Sequence, residues 1–135
     1  MLKLQSLILV STFLLATACG GSSSDNTPSL PPNTTAFTVT VPAAPLSYNI
    51  NGVENPALTL QRGQTYTFTL TAAGHPFWIL TVAGTNTRHA FSTGVTGNGT
   101  QNGTVTFVVP VGAPNTLFYN CSAHAPMGGT ITVTN

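Results

Sequence analysis

Alternation of threonine with apolar side chains is the feature that most constrains the fold of this chain. Residues 65–71 read TYTFTLT, in which Tyr66, Phe68 and Leu70 alternate with threonines, and TVTFVV at 104–109 has the same period. Because successive side chains of a β-strand point to opposite faces, a period of two places the apolar residues together on one face. No stretch after residue 18 shows the apolar stripe of a helix. Both segments are therefore predicted to be half-buried strands.

Six further segments have strand character, and turn-forming sequences separate them. They are FTVTV (37–41), SYNI (47–50), LTL (58–60), FWILTV (77–82), LFYNC (117–121) and TITVT (130–134). The intervening NG, RGQ, AAGHP, TGNGTQNG and GAPN are rich in residues that turns favour. About eight short strands at this spacing predict an all-β domain, a two-sheet Greek-key β-sandwich.

The first 18 residues have the composition of a targeting signal. Lys3 precedes an apolar run over 4–18 that is too short to span a bilayer and that ends in Ala-Thr-Ala. We predict a secretory signal peptide at 1–18, and hence an exported protein on the periplasmic side of a bacterial membrane. Residues 19–35, CGGSSSDNTPSLPPNTT, contain almost no apolar side chains and are predicted to be a flexible linker. The folded domain is then 36–135.

Cys19 would be the first residue after cleavage of that signal. The sequence LLATACGGSSS resembles a bacterial lipoprotein signal, in which this cysteine carries the lipid that holds the domain at the membrane. Two alternatives stay open at this point. Ordinary cleavage would leave Cys19 as a stray thiol, and the exported setting also permits a disulfide with Cys121.

The chain is almost uncharged, since charged residues make up 4% of it. After removal of the signal, Arg62 and Arg88 balance Asp25 and Glu54, two against two, for a formal charge of zero. There is no basic patch for nucleic acid. With only one Asp and one Glu after removal of the signal, we expect neither a catalytic carboxylate pair nor a Ser-His-Asp triad. We therefore expect no enzymatic activity and no small-molecule substrate.

The segment NCSAHAPMGG at 120–129 gathers three metal-binding side chains at intervals of three residues. Cys121 offers a thiolate, His124 an imidazole and Met127 a thioether. Soft sulfur ligands favour copper, and two histidines with a cysteine and a weak axial methionine describe the electron-transfer copper site. That site needs a second histidine from elsewhere in the chain.

His75 and His89 are the candidates for the second histidine. His75, in AAGHPFWIL, directly follows the strand at 65–71, whereas His89 lies in the polar stretch TNTRHAFS and is predicted to be solvated. Simpler interpretations stay open for the whole set. Cys121 would then be a small buried apolar residue, Met127 a core side chain, and His75 a hydrogen-bonded loop histidine.

The sequence resembles the cupredoxins, the small blue copper proteins. The resemblance lies in NPALTLQRGQTYTF, GHPFWI and NCSAHAPMGG, spans 36–135, and includes a short closing C-x2-H-x2-M loop similar to that of amicyanin. It implies one type 1 copper held by His75, Cys121, His124 and Met127. It also implies an electron carrier whose redox partner proteins dock near His124. A periplasmic protein that stores or delivers copper is the alternative.

Two further positions depart from the family pattern. The residue after the first histidine ligand is usually an asparagine whose N–H donates to the cysteine sulfur, but here it is Pro76, which has no N–H. The residue two after the cysteine is a proline in plastocyanin and amicyanin, but here it is Ala123, which has one. The resemblance therefore predicts that the sulfur's donor has moved from Pro76 to Ala123.

Overall fold

The computed structural model describes residues 30–31, 33–44 and 46–135. Within these ranges the chain forms ten strands and one 3-10 turn, Thr87–His89. The strands are β1 (Ala36–Thr40), β2 (Asn49–Ile50), β3 (Val53–Glu54), β4 (Leu58–Gln61), β5 (Thr65–Thr71), β6 (Phe77–Leu80), β7 (Val95–Thr96), β8 (Asn102–Val108), β9 (Thr116–Cys121) and β10 (Gly128–Thr134). The proposed signal peptide, Cys19 and most of the linker lie outside the described residues. Among the residues described, no helix has the length and apolar character needed to cross a membrane.

The strands form two sheets. One contains six strands in the order β3-β2-β1-β5-β8-β7, and the other contains four in the order β4-β10-β9-β6. Both sheets are mixed, because β1 runs parallel to β5 and β10 runs parallel to β4, while the other pairs are antiparallel. The prediction of an all-β, two-sheet sandwich is confirmed.

The alternating apolar residues fill the space between the sheets. Tyr66, Phe68 and Leu70 of β5 are buried, and the threonines between them are exposed or half-buried. Aromatic rings join the two layers, since the rings of Phe68 in one sheet and Phe77 in the other lie 5.2 Å apart. Burial of these rings and of the aliphatic residues around them is the main stabilising term of the sandwich.

Two of the ten strands were not predicted, β3 and β7. Each has two residues, which is too few for a period to be visible in the sequence. The hairpin between β2 and β3 is made by Asn51 and Gly52, with φ of 49° and 91°. Positive φ at both central residues is what a two-residue hairpin of this hand requires, and Asn-Gly meets it at little cost.

Three chain segments meet at one end of the four-stranded sheet. β9 ends at Cys121, which pairs with Phe77 at the start of β6. β10 starts at Gly128, which pairs with Asn120. The loop 122–127 joins β9 to β10, and the loop 72–76 leads from β5 into β6. This end therefore holds both sequence segments that contain candidate metal ligands.

Candidate metal centre

Cys121 lies at the end of β9 with its side chain inside the domain. It is completely buried, on the same side of the strand as Leu117 and Tyr119. Its amide donates to the carbonyl of Met127 at 2.9 Å. The strand alternation therefore aims the thiol inward, and the backbone bond closes the loop 122–127 around it.

His75 is held by a tight turn at the end of β5. Its amide donates to the carbonyl of Ala72 at 2.9 Å, and Gly74 adopts φ of 81°, a conformation that favours glycine. From the other side, the hydroxyl of the buried Tyr48 donates to the His75 carbonyl at 2.9 Å. These backbone and side-chain hydrogen bonds together fix the backbone position from which the His75 imidazole extends.

His75, Cys121 and His124 converge on one point. The Cys121 Sγ lies 3.9 Å from the Nδ1 of His75 and 3.7 Å from the Nδ1 of His124. The two imidazole centroids are 4.8 Å apart, and one donor atom from each of the three residues lies within 4.8 Å of the others. His75, which lies 46 positions before Cys121 in the chain, thus joins Cys121 and His124 in presenting a thiol and two imidazole nitrogens to a common centre.

These separations fit a single transition-metal ion. In protein sites a thiolate sulfur binds such a metal at about 2.3 Å and an imidazole nitrogen at about 2.0 Å. Two such bonds, set about 110–120° apart, place sulfur and nitrogen roughly 3.5–3.7 Å from each other. The observed sulfur–nitrogen distances are close to that span. A Cys-His-His set of this kind is the trigonal arrangement associated with type 1 copper.

Met127 closes the loop on the buried side. It has no solvent exposure and belongs to the same core cluster as Cys121. Its amide donates to the His124 carbonyl at 3.1 Å. Its carbonyl accepts two bonds, from the Cys121 amide at 2.9 Å and from the Asn120 Nδ2 at 3.3 Å. The loop turn therefore fixes the backbone of Met127 beside that of Cys121.

Among the residues that the structure describes, the Cys121 sulfur has one backbone donor. The amide of Ala123 lies 3.4 Å from the Sγ and donates to it. Pro76 has no N–H, and its carbonyl instead accepts from the Ser122 amide at 3.2 Å. The two ligand loops are therefore joined through Pro76 and Ser122, while the sulfur's hydrogen bond comes from Ala123.

Three supporting side chains were missed by sequence analysis: Tyr48, Asn55 and Asn120. Asn55 accepts from the Tyr48 amide at 3.0 Å and donates to the Pro126 carbonyl at 3.3 Å. The side chains of Tyr48, Asn55 and Asn120 thus hold the carbonyls of His75, Pro126 and Met127. Asn120 could have been noticed in the sequence. It lies in a predicted strand directly before Cys121, and asparagine is rarely buried in a protein core.

Burial raises the pKa of Tyr48 well above the ordinary value for tyrosine, and the neighbouring Cys121 raises it further. Burial alone raises the pKa of Tyr119 in the same direction. The Tyr119 hydroxyl donates to the Pro56 carbonyl at 2.7 Å. Both hydroxyls therefore remain protonated donors at neutral pH.

The candidate centre is close to the surface on the histidine side. His75 and His124 are half-buried, while the small apolar residues Ala123, Ala125 and Pro126 are exposed. The loops 72–76 and 122–127 contain no Asp, Glu, Lys or Arg. His89 lies in the 3-10 turn and is not part of the cluster.

Comparison with known proteins gives similarity at the level of structure. No protein-family model matches the chain, and no curated protein matches it either. Solved structures do match. Rusticyanin from Thiobacillus ferrooxidans is 27% identical with a TM-score of 0.51, and a rusticyanin variant is 25% identical with a TM-score of 0.53. Each alignment covers 73% of this chain and 76% of the other. Amicyanin in its Cu(I) form also matches, at 24% identity and a TM-score of 0.45, over 75% of this chain and 84% of that one.

Rusticyanin is a copper protein and a cupredoxin. From the rusticyanin matches, the chain has the fold of the cupredoxins, as its sequence motifs predicted. Its thiol, two imidazoles and buried methionine supply the donor types of one type 1 copper.

Proposed function

We propose that this protein is an exported blue copper protein that carries single electrons between redox partners, without catalysing a reaction itself. His75, Cys121, His124 and Met127 are the proposed copper ligands. The observation that carries the proposal is the convergence of the Cys121 sulfur with the Nδ1 atoms of His75 and His124. Copper, when bound, supplies a Cu(II)/Cu(I) couple.

The chain contributes a site that does not need to rearrange. Cys121 is fixed by its strand and by the bond from its amide to Met127, and His75 is fixed by its turn and by Tyr48. A carrier exchanges electrons quickly only if its ligands keep nearly one geometry in both oxidation states. Hydrogen bonds to the groups around metal ligands provide that orientation in metal sites generally.

Partners are proposed to dock over His124, the ligand in the exposed loop. The surrounding Ala123, Ala125 and Pro126 present a small apolar surface without charge. Electrostatic steering accelerates association only where complementary charges face each other. We therefore expect an electron-transfer rate that depends weakly on ionic strength. A steep fall in the second-order rate between low and high salt would contradict this docking mode.

Cys19 is the proposed lipid attachment site, which would keep the domain near a membrane. The 17 residues 19–35, predicted from the sequence to be a flexible linker, would give a mean reach of roughly 20–25 Å. The expected result is that the wild type fractionates with membranes and that Cys19→Ala is released. Equal release of both proteins, or processing that globomycin does not inhibit, would contradict the anchor.

The experiment that tests the central proposal combines an absorption spectrum with voltammetry. Addition of one equivalent of Cu(II) should produce an intense band toward the red end of the visible range, from charge transfer out of the Cys121 thiolate. A reversible one-electron wave should accompany it. Bound copper without that band would overturn the site. The band without a reversible wave would favour the alternative, a protein that stores or delivers copper.

A further inference from the structure

Asn120 stands out among the polar residues of the core. It lies in β9 between Tyr119 and Cys121, and its side chain is 6% exposed. Its Oδ1 accepts from the Gly84 amide at 3.2 Å, and its Nδ2 donates to the Met127 carbonyl at 3.3 Å. One buried amide therefore links the segment after β6 to the residue that closes the ligand loop.

The Met127 carbonyl is held by two neighbours on a single strand. The backbone of Cys121 donates to it at 2.9 Å, and the side chain of Asn120 donates to it as well. A buried polar group that loses its hydrogen-bond partner is destabilising. Displacing Met127 from the end of β9 would break both of these bonds, whose three residues are all buried.

Gly128, the residue after Met127, lies directly against the side chain of the same asparagine. A Cβ at Gly128 would collide with the Asn120 side-chain amide and with the Tyr119 carbonyl. The absent side chain at 128 therefore provides the space that the Asn120 amide occupies. Asn120 and Gly128 together determine how the chain leaves the ligand loop and enters β10.

We infer that Asn120 is a positioning residue that fixes the backbone of Met127 against that of Cys121 and so sets the thioether's contact with the metal. This inference rests on the proposed function. The axial methionine of a Cys-His-His copper site is weakly bound, and its contact tunes the reduction potential. A small displacement of its backbone therefore has a measurable effect.

Asn98 provides a matched control. Its Oδ1 accepts from the Ile79 amide at 2.8 Å, and its Nδ2 donates to the Phe91 carbonyl at 3.1 Å. The bonding pattern is the same as that of Asn120, but neither partner is a proposed ligand or a chain neighbour of one. Asn98→Ala therefore removes the same kind of support from a loop that holds no ligand.

The copper-loaded proteins give the first measurement. In Asn120→Ala the loop relaxes away from the metal and the thioether donates less, which weakens Cu(II) more than Cu(I). The equilibrium should shift about fivefold toward Cu(I), which is a rise of about 40 mV at ~59 mV per tenfold change. The intensity ratio of the thiolate-to-copper bands and the Cu(II) EPR parameters should change as well. Asn98→Ala should leave all three at their wild-type values.

The copper-free proteins give a second measurement that does not depend on the metal. The Cys121 amide, bonded to Met127, should exchange its hydrogen about tenfold faster in Asn120→Ala than in Asn98→Ala. Should Asn120→Ala fail to fold, Asn120→Ser is measured in the same two ways.

The outcomes separate the two proposals. Equal exchange rates, potentials and spectra in the two asparagine variants would overturn the positioning role while leaving the copper site intact. A wild type without the thiolate band would instead defeat the proposed function, and the exchange rates would still decide whether Asn120 holds the loop.

Discussion

The two ends of β9 solve the same structural problem with different chemistry. At the end that contains Cys121, neutral side chains that are buried or half-buried hold the loop carbonyls of His75, Pro126 and Met127. At the other end, roughly 17–20 Å away along six residues of strand, one arginine gathers the loops. Arg62 is half-buried and follows β4.

The Arg62 side chain makes four hydrogen bonds to two chain segments, the loop 111–115 before β9 and Asn135 after β10. Its Nε donates to the Val111 carbonyl at 3.0 Å, and one Nη donates to the Ala113 carbonyl at 2.9 Å and to the Asn115 Oδ1 at 2.6 Å. The other Nη donates to the Asn135 Oδ1 at 3.0 Å. A planar guanidinium with five donors suits this task where water still reaches it.

This contrast explains why no arginine supports the candidate metal centre. A charge beside a buried metal would be costly to desolvate and would shift the equilibrium between the metal's oxidation states. Amide and hydroxyl side chains supply the same bonds to carbonyls without a net charge. We therefore expect the Arg62 end to contribute to stability alone, and the Cys121 end to combine stability with control of the proposed copper.

The strongest of the predicted changes is confined to the Cys121 end. Cys121→Ser removes the thiolate, so the intense visible band should disappear after Cu(II) addition, while unfolding stays cooperative. His89→Ala is the matched control, because this histidine lies outside the cluster, and it should keep the band at full intensity. A blue Cys121→Ser protein would sink the assignment of the metal to this end.

Arg62→Met is the converse change, with an effect on stability alone. It removes four hydrogen bonds from a charged donor, at about 2–4 kcal/mol in total after allowance for solvent access. In a domain of this size that lowers Tm by about 10 °C or more. Arg88→Met, in the exposed 3-10 turn, should change Tm little. Calorimetry and voltammetry of both should show an unchanged potential, and a shifted potential in Arg62→Met would mean that the two ends are coupled.

The third effect is a loss of stability at alkaline pH that originates at the Cys121 end. Burial raises the pKa of Tyr48 and Tyr119, so above about pH 10 the unfolded chain loses protons that the folded chain keeps. Stability then falls by about 1.4 kcal/mol per pH unit for each tyrosine. Urea unfolding at several pH values should give an unfolding free energy that falls as the pH rises. Tyr48→Phe should halve the slope of this free energy against pH. Phenolate absorbance from both residues in a protein that is still folded would contradict the burial argument.

The sequence predicted the strands of this molecule better than the side chains that hold its candidate site in place. The eight predicted strand segments all contain strands, because alternation in a segment such as 65–71 expresses directly which face is buried. Asn51 and Gly52 likewise predict a turn, because both residue types readily adopt the positive φ that it requires. The hairpin strand β3 has only two residues, so no period is available to read.

The supports of the candidate site depend on contacts that a sequence does not display. Cys121, His124 and Met127 are recognisable because three ligand types recur at a fixed interval. Tyr48 and Asn55 approach them from another part of the chain, and each bonds a carbonyl, which every residue possesses. The residue type at the accepting position therefore gives no indication of such a hydrogen bond in the sequence.

The smallest effect concerns the hydrogen bond to the Cys121 sulfur. The Ala123 amide donates to the Sγ at 3.4 Å, whereas Pro76 has no proton to offer. A donor withdraws electron density from the thiolate and favours Cu(I), which raises the potential. We therefore expect Ala123→Pro to lower the potential and Pro76→Asn to raise it. Each shift should be about 40 mV, corresponding to a bond of roughly 1 kcal/mol at ~59 mV per tenfold change in the equilibrium constant.

Two control variants isolate the N–H from the other consequences of these substitutions. Ala123→Gly keeps the amide and should keep the potential, so a shift in Ala123→Pro alone reports the lost donor. Pro76→Ala supplies an N–H without a polar side chain and should match Pro76→Asn, provided that the Pro76 carbonyl still accepts from Ser122 as it does at 3.2 Å. Because the bond acts on the thiolate, the energy of the charge-transfer band should move along with the potential in each variant. If Ala123→Pro and Pro76→Asn remain blue with wild-type potentials, the sulfur's hydrogen bond does not tune this site.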